Sequence, residues 1–381
     1  MTISRRACVE AVLRRETPPR VVYAPNCWQW FEHHRNHGLL PPELAHCTSQ
    51  LDLIRHLGLD VFSRNIYCDQ PRAWFGGFAE EILDGAERSI TTRAEGRDHV
   101  YTRSYHTARG TLTERQRYIF AESTLVQEAF LLNSETPELD AFSALLAARR
   151  WRFDAARYHD WQRRVGDDGL VVAGELFSPL KLLHFAAGAD HAVYLLEDHP
   201  ERCREWMDRH EAAQLDLVRQ MLAAGVRAMM AMDNLDASFH PPRYVERYSA
   251  RFYAEASRLC HEAGAVFFIH ACGRQRALLP LIASLGVDGL EGVAYPTLGD
   301  IELDEAMRLA GDRLILTGGI SALETERFRS RDEVRRYVEE LLRRLAPYRH
   351  RFILSASCNT SIRTPWPVLT WFRDAWREFG T

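Results

Sequence analysis

Two short stretches carry the residue types that hold a reactive metal. The run AVFFIHACG ends in His270, Ala271 and Cys272. Side chains two apart on an extended strand project to the same side, so that imidazole and that thiol can converge on one point. A second run, RFILSASCN, ends at Cys358. One nitrogen and two sulfurs aimed at a common centre suit Zn²⁺, and three protein ligands leave a fourth position for water, a carboxylate or a substrate. That vacancy marks a catalytic zinc rather than a structural one. The competing reading is a buried histidine beside inert core thiols. The other cysteines are read as packing: Cys203 and Cys260 in helical patterns, Cys27 and Cys68 after apolar runs, Cys8 and Cys47 in segments without an assignment.

Carboxylates lie at comparable places. Glu175 closes the run VVAGEL, Asp233 and Asn234 close AMDN, and Glu291 sits in LEGVA. Asp233 and Glu175 are the candidate catalytic acids: a fourth zinc ligand, a partner that orients His270, or a clamp for a substrate amine. Ion pairs with the abundant arginines are the alternative. Glu291 is a second candidate for the fourth position or for substrate contact, and Asn234 is placed with the substrate. Trp28 and Trp30, beside Cys27 and Phe31, either wall a pocket for an apolar or cationic methylated group, or form a hydrophobic plug or an oligomer contact such as a homodimer's. Gly318 and Gly319 offer an anion cradle or a tight turn. His33, His34 and His37 read as a solvated loop.

The elements that must position these groups follow one pattern. Eight apolar, β-rich runs recur: Val21–Pro25, Val61–Ile66, Leu170–Leu176, Ala228–Met232, Val266–His270, Leu290–Ala294, Leu314–Thr317 and Phe352–Ser355. They are nearly continuous in apolar residues, as strands buried on both faces are. Helical periodicity fills the gaps. Arg331 to Ala346 follows a Ser330/Glu333 capping box, and another helix runs from Pro241–Pro242 to about Ala263. The sequence predicts a (β/α)₈ TIM barrel, a single domain over 1–381. Active sites of such barrels lie at the carboxyl ends of the strands, where the candidate residues cluster. The long interval between the second and third runs predicts an insertion over roughly 70–160. It contains a β-meander (Glu87–Thr92, Val100–His106, Gly110–Arg115) and a helical stretch over Leu125–Trp151.

Composition excludes several classes. The net charge is −4 with neither sign gathered into a run, which argues against a nucleic-acid partner. No stretch is apolar enough to span a bilayer, and the charged opening MTISRRACVEAVLRRETPP is not a secretory signal, so a cytoplasmic location with reduced thiols is expected. Lys181 is the only lysine, so Schiff-base chemistry has one carrier and arginine does nearly all anion binding.

With these motifs in view, the chain resembles the uroporphyrinogen decarboxylase-like superfamily, and within it the zinc-dependent methyltransferases. The resemblance runs through RRETPPRVVYA, DNLDASFHPPRYVERY, FFIHACG, DGLEGVAYPTLGDIELDEA, GDRLILTGGIS and FILSASCNT. Cys358 sharpens it, since many barrel relatives carry no cysteine in the last strand, and Asp233 matches a recurrent acidic position. The resemblance implies a His270/Cys272/Cys358 zinc that binds a small-molecule thiol as thiolate. The methyl donor it implies is a corrinoid (cobalamin) on a separate protein, or a folate. The decarboxylase's own W-x-M-R-Q-A-G-R-Y segment is replaced by NCWQWFEHHRNHG, which disfavours tetrapyrrole decarboxylation. A metal-free decarboxylase and a zinc lyase or hydrolase that activates water remain as alternatives.

Overall fold

The computed structural model describes residues 3–67, 77–133, 136–296 and 298–381; Cys68 lies outside the described residues. The strands in chain order are β1 (Val22–Tyr23), β2 (Val61–Ser63), β3 (Ala79–Leu83), β4 (Glu87–Glu95), β5 (Asp98–Thr107), β6 (Gly110–Ile119), β7 (Thr124–Ala129), β8 (Arg149–Phe153), β9 (Gly169–Val171), β10 (Ala173–Leu176), β11 (Ala228–Ala231), β12 (Val266–His270), β13 (Gly289–Val293), β14 (Ile315–Ile320) and β15 (Phe352–Ala356). Each of the eight apolar runs of the sequence contains a strand. The third is broken in two at Val172, where the chain leaves β2 and joins β11.

These strands form one parallel ring. β1 pairs with β15, and the ladder continues through β14, β13, β12 and β11 to β10. β2 pairs with β9, and the Val172 N–H donates to Ser63 O at 3.0 Å, which joins β2 to the β9–β10 run. The remaining seam, between β1 and β2, is closed by Asp60. Its N–H donates to Tyr23 O at 2.9 Å, and its carboxylate accepts from Tyr23 N at 2.9 Å. Arg20 completes the seam with two bonds to the same carboxylate, at 2.7 and 2.6 Å. The chain is a TIM barrel.

Strand alternation separates two cores, as the pleat requires. Val22, Phe62, Leu170, Ala228, Met230, Phe268, Ile315 and Ile353 fill the barrel with Val9 and Val12, from the helix Arg5–Leu13. Their neighbours Phe267, Ile269, Leu316 and Leu354 pack outward against the surrounding helices. Phe268 points inward, so His270, two residues on, points inward at the carboxyl end of its strand.

The insertion carries a meander of four strands, β4 to β7, and a separate antiparallel pair, β3 with β8. Here two expectations fail. Leu125–Trp151 is not one helical stretch: Leu125 to Ala129 belong to β7, the helix spans Thr136–Ala148, and Trp151 lies in β8. RRWRF is short and pairs with the distant β3, while TLVQEA folds back on β6 just before it, and helical periodicity reveals neither pairing. The helix expected from Pro242 to Ala263 is broken at Ser249, where φ is −123°, into Pro242–Tyr248 and Ala250–Glu262. Ser330 does cap its helix, accepting from Glu333 N at 3.3 Å. The insertion shares a core with the helices Pro179–Asp198 and Pro200–Ala223 through Phe142, Leu145, Leu183 and Trp206. Among the described residues no helix is long and apolar enough to cross a membrane.

Asp60 is fully buried and bears the closing seam. Asp60→Ala leaves Arg20 and Tyr23 N without an acceptor and should cost about 3–5 kcal/mol. Urea unfolding should show the loss as a lower midpoint.

Candidate metal centre

His270 and Glu291 stand opposite each other in the β12–β13 register. Nδ1 of His270 donates to the Glu291 carboxylate, and Arg64 Nε donates to the same oxygen at 3.2 Å. A carboxylate only accepts, so the imidazole proton sits on Nδ1 and the Nε2 lone pair faces outward. Cys358 Sγ lies 3.7 Å from that Nε2. The ligand atoms of His270, Cys272 and Cys358 all lie within 4.8 Å of one another, and among the described residues they are the only such group. Asn26, just after β1, pins the Cys358 loop by donating to Cys358 O at 3.2 Å. Gly273 follows Cys272 with φ +131°, and a Cβ there would stand 1.9 Å from an Asp236 carboxylate oxygen, so the turn after the ligand requires glycine.

The electrostatics suit a cation. Burial opposes the charge on Glu291, but Arg64 and His270 outweigh it and hold its pKa down at about 2. A hydrogen bond from Cys358 lowers Cys272, and serving as that donor, together with burial, raises Cys358. Cys272 therefore loses its proton first, and the pair shares the other. An N/S₂ donor set with its imidazole backed by a carboxylate fits zinc.

The other expected residues are placed differently. Glu291 is behind the imidazole, not at a fourth position facing the thiols. Asp233 does not orient His270: its buried carboxylate accepts from Ser178 N at 2.9 Å and from the Tyr253 hydroxyl, and so anchors the start of helix Pro179–Asp198. Glu175 is outside the cluster, with Oε1 accepting from Tyr67 OH and Phe78 N, each at 2.8 Å. Trp30 is buried, its indole N–H donates to Thr364 O at 2.8 Å, and its ring stacks on His34, so it packs beneath the mouth instead of walling it. Trp28 is half-buried at the start of helix Trp28–Asn36. Asn234 is exposed just after Asp233, in the left-handed region at φ +50°. Gly318 and Gly319 lie inside β14 instead of in a loop; a Cβ on Gly318 would sit 2.5 Å from Val293 O. His33 and His34 are helical, with His37 at the C-cap, and His33 stacks on His37 at 4.1 Å.

Arg64, directly after β2, is the residue that sequence reasoning missed. Its one signal was its place at a strand end, and 47 arginines concealed it.

A family model described as "Uroporphyrinogen decarboxylase (URO-D)" matches residues 162–379, more than half of the chain. Among solved structures, a methyltransferase from Methanosarcina mazei superposes with TM-score 0.63 at 15% identity, covering 99% of each chain. A D-psicose 3-epimerase from Clostridium cellulolyticum H10 gives TM-score 0.37 at 12% identity, over 60% of this chain and 84% of that one. A search of curated proteins found no match.

Removing the imidazole's support should weaken the site without dismantling it. Glu291→Gln is expected to lower zinc affinity about 10–100-fold, read by competition with a chromophoric chelator. Cys272→Ala and Cys358→Ala should lose stoichiometric zinc. Circular dichroism of all three should remain that of the folded barrel.

Proposed function

Because the chain belongs to the uroporphyrinogen decarboxylase (URO-D) family, we propose that it is a zinc-dependent methyltransferase of that superfamily acting on a small thiol. One observation carries the reading: the cluster of one imidazole and two thiols, with no fourth ligand among the described residues, at the carboxyl end of the barrel. The likeness of the fold to the Methanosarcina mazei methyltransferase over nearly the full length supports it.

His270, Cys272 and Cys358 would hold the metal. A zinc ion bound there would supply the positive charge that lets a thiol of ordinary pKa, about 8.5, lose its proton at neutral pH. Glu291 keeps the His270 proton on Nδ1, so the Nε2 lone pair would be free to hold the metal. Arg64 balances the Glu291 charge and keeps that carboxylate from turning toward the mouth. Asp233 and Glu175 are positioning residues: the first fixes a helix start, the second ties Tyr67 and Phe78 to the third barrel strand. Asn234 and Trp28 are the residues of the mouth proposed to contact substrate. The methyl donor would be a corrinoid on a separate protein or a folate, and residues 1–381 would act as one domain.

Titrating the zinc-loaded protein with its thiol should release about one proton per site below the thiol's own pKa. X-ray absorption at the zinc edge should then gain a third sulfur at about 2.3 Å beside those of Cys272 and Cys358. A light atom retained in that position with substrate bound would instead favour water activation, as in a lyase or hydrolase.

A further inference from the structure

Beneath the insertion, a cavity of about 450 Å³ lies between the β3–β8 ribbon, the meander and the carboxyl end of the third barrel strand. Its apolar walls are Phe142, Phe177, Leu182 and Phe185, and His270, Cys272 and Cys358 do not line it. A volume and lining of that kind suit a small ligand when a few polar groups are left to orient it. Most of the charged groups on the wall satisfy one another. Arg149 and Arg88 pair with Glu81 at 2.7 and 2.8 Å, and Arg103 Nε donates to Glu114 at 2.7 Å. The Tyr105 hydroxyl donates to Glu81 at 3.0 Å. Arg157 gives Nη1 to Gly77 O at 2.6 Å and acts on Glu175 only at a distance.

Two polar groups of that wall keep an atom unspent. Glu175 is 7% exposed, and its Oε1 accepts from Tyr67 and Phe78, whereas its Oε2 is buried with no partner among the described residues. Nε1 of Trp151, which can only donate, is likewise buried without a partner. The backbone relates the two. Phe78, whose N–H reaches Glu175, immediately precedes β3, and Trp151 stands opposite Glu81 in the β3–β8 register. Three residues of strand, about 10 Å, therefore separate the carboxylate's end of the cavity from the indole's. Gly77 lets the chain pass so close to the carboxylate, since a Cβ there would lie 1.8 Å from Glu175 Oε1.

We propose that this cavity is a second ligand site, separate from the metal centre, for an aromatic amine that carries an oxygen at its far end. The ammonium gives Glu175 Oε2 a charge-assisted donor, and the oxygen accepts the Trp151 N–H. The ring between them packs on the apolar walls. A buried carboxylate oxygen without a partner is costly, so the cavity favours a cation over an anion at that end. The site stands apart from the methyltransferase reading, because its unspent atoms belong to Glu175 and to the insertion and none belongs to a metal ligand.

Calorimetry on the zinc-loaded protein would compare tyramine with 4-ethylphenol, and 4-hydroxybenzylamine with 4-methylphenol; within each pair only the ammonium differs. At least one amine should bind about 10-fold more tightly than its neutral partner. That amine should also bind more tightly than its counterpart without the phenol oxygen, phenethylamine or benzylamine. Glu175→Gln keeps an oxygen for Tyr67 and Phe78 but puts an NH₂ where Oε2 stands. It should erase the advantage of the ammonium without moving the thermal unfolding midpoint. Trp151→Phe should erase the advantage of the phenol oxygen and leave that of the ammonium. Cys272→Ala, which loses the metal, should bind the amine as the zinc-loaded protein does; loss of binding there would assign the amine to the metal and overturn the proposal. Equal affinities within both pairs, or an ammonium preference that survives Glu175→Gln, would overturn it too. Should Glu175→Gln fail to fold, Trp151→Phe decides, because an undiminished preference for the phenol oxygen contradicts the site.

Discussion

The hydrogen bond between His270 and Glu291 is the constraint on which the metal centre depends, and it is a consequence of strand register. β12 and β13 align those two residues side by side on the inner face. A slip of one residue would turn either side chain out among the helices and leave the imidazole free to rotate. With Nδ1 held, only Nε2 can meet the two sulfurs, one on the same strand end and one delivered by β15. The site is therefore as rigid as the ladder beneath it.

Charge balance around that bond is unusual for a barrel interior. The Arg64 and Glu291 side chains are only 11% and 8% exposed, and removing either would leave the other charge largely desolvated and unpaired. Glu291 stays ionised beside Arg64 and holds the His270 proton on Nδ1, and the hydrogen bond between the two thiols lowers Cys272 and raises Cys358. The same logic closes the barrel on its opposite side, where Arg20 and Asp60 join β1 to β2. In both places an arginine satisfies a carboxylate of another strand or its approach, across the barrel from the end of β2 to β13 in one case and between the adjacent β1 and β2 in the other, so closure of the ring and assembly of the site use one kind of interaction.

The insertion affects the mouth indirectly. Its helix Thr136–Ala148 packs on the helices that follow the third strand, and this shared core fixes helix Pro179–Asp198 from outside. Asp233 fixes the same helix from inside. Lys181 and His184, on the first turns of that helix, are held between these two restraints.

Much of this was legible in the sequence. Each of the eight apolar runs contains a strand, because a strand buried on both faces must be apolar throughout. The spacing of His270 and Cys272, and the place of Cys358 at another strand end, followed from alternation and from the closed ring. What the sequence could not decide were pairings between distant segments. Glu291 could equally have faced the metal, and only the β12–β13 register put it behind the ring. Asp233 and Trp30 read as site residues, yet tertiary packing committed one to Ser178 and Tyr253 and the other to Thr364. Arg64 was one arginine among many until β2 closed beside β9. β8 passed as helix because its partner β3 lies far along the chain. Periodicity reports which face of an element is buried; which groups meet across that face depends on closure and register, and those exist only in the folded chain.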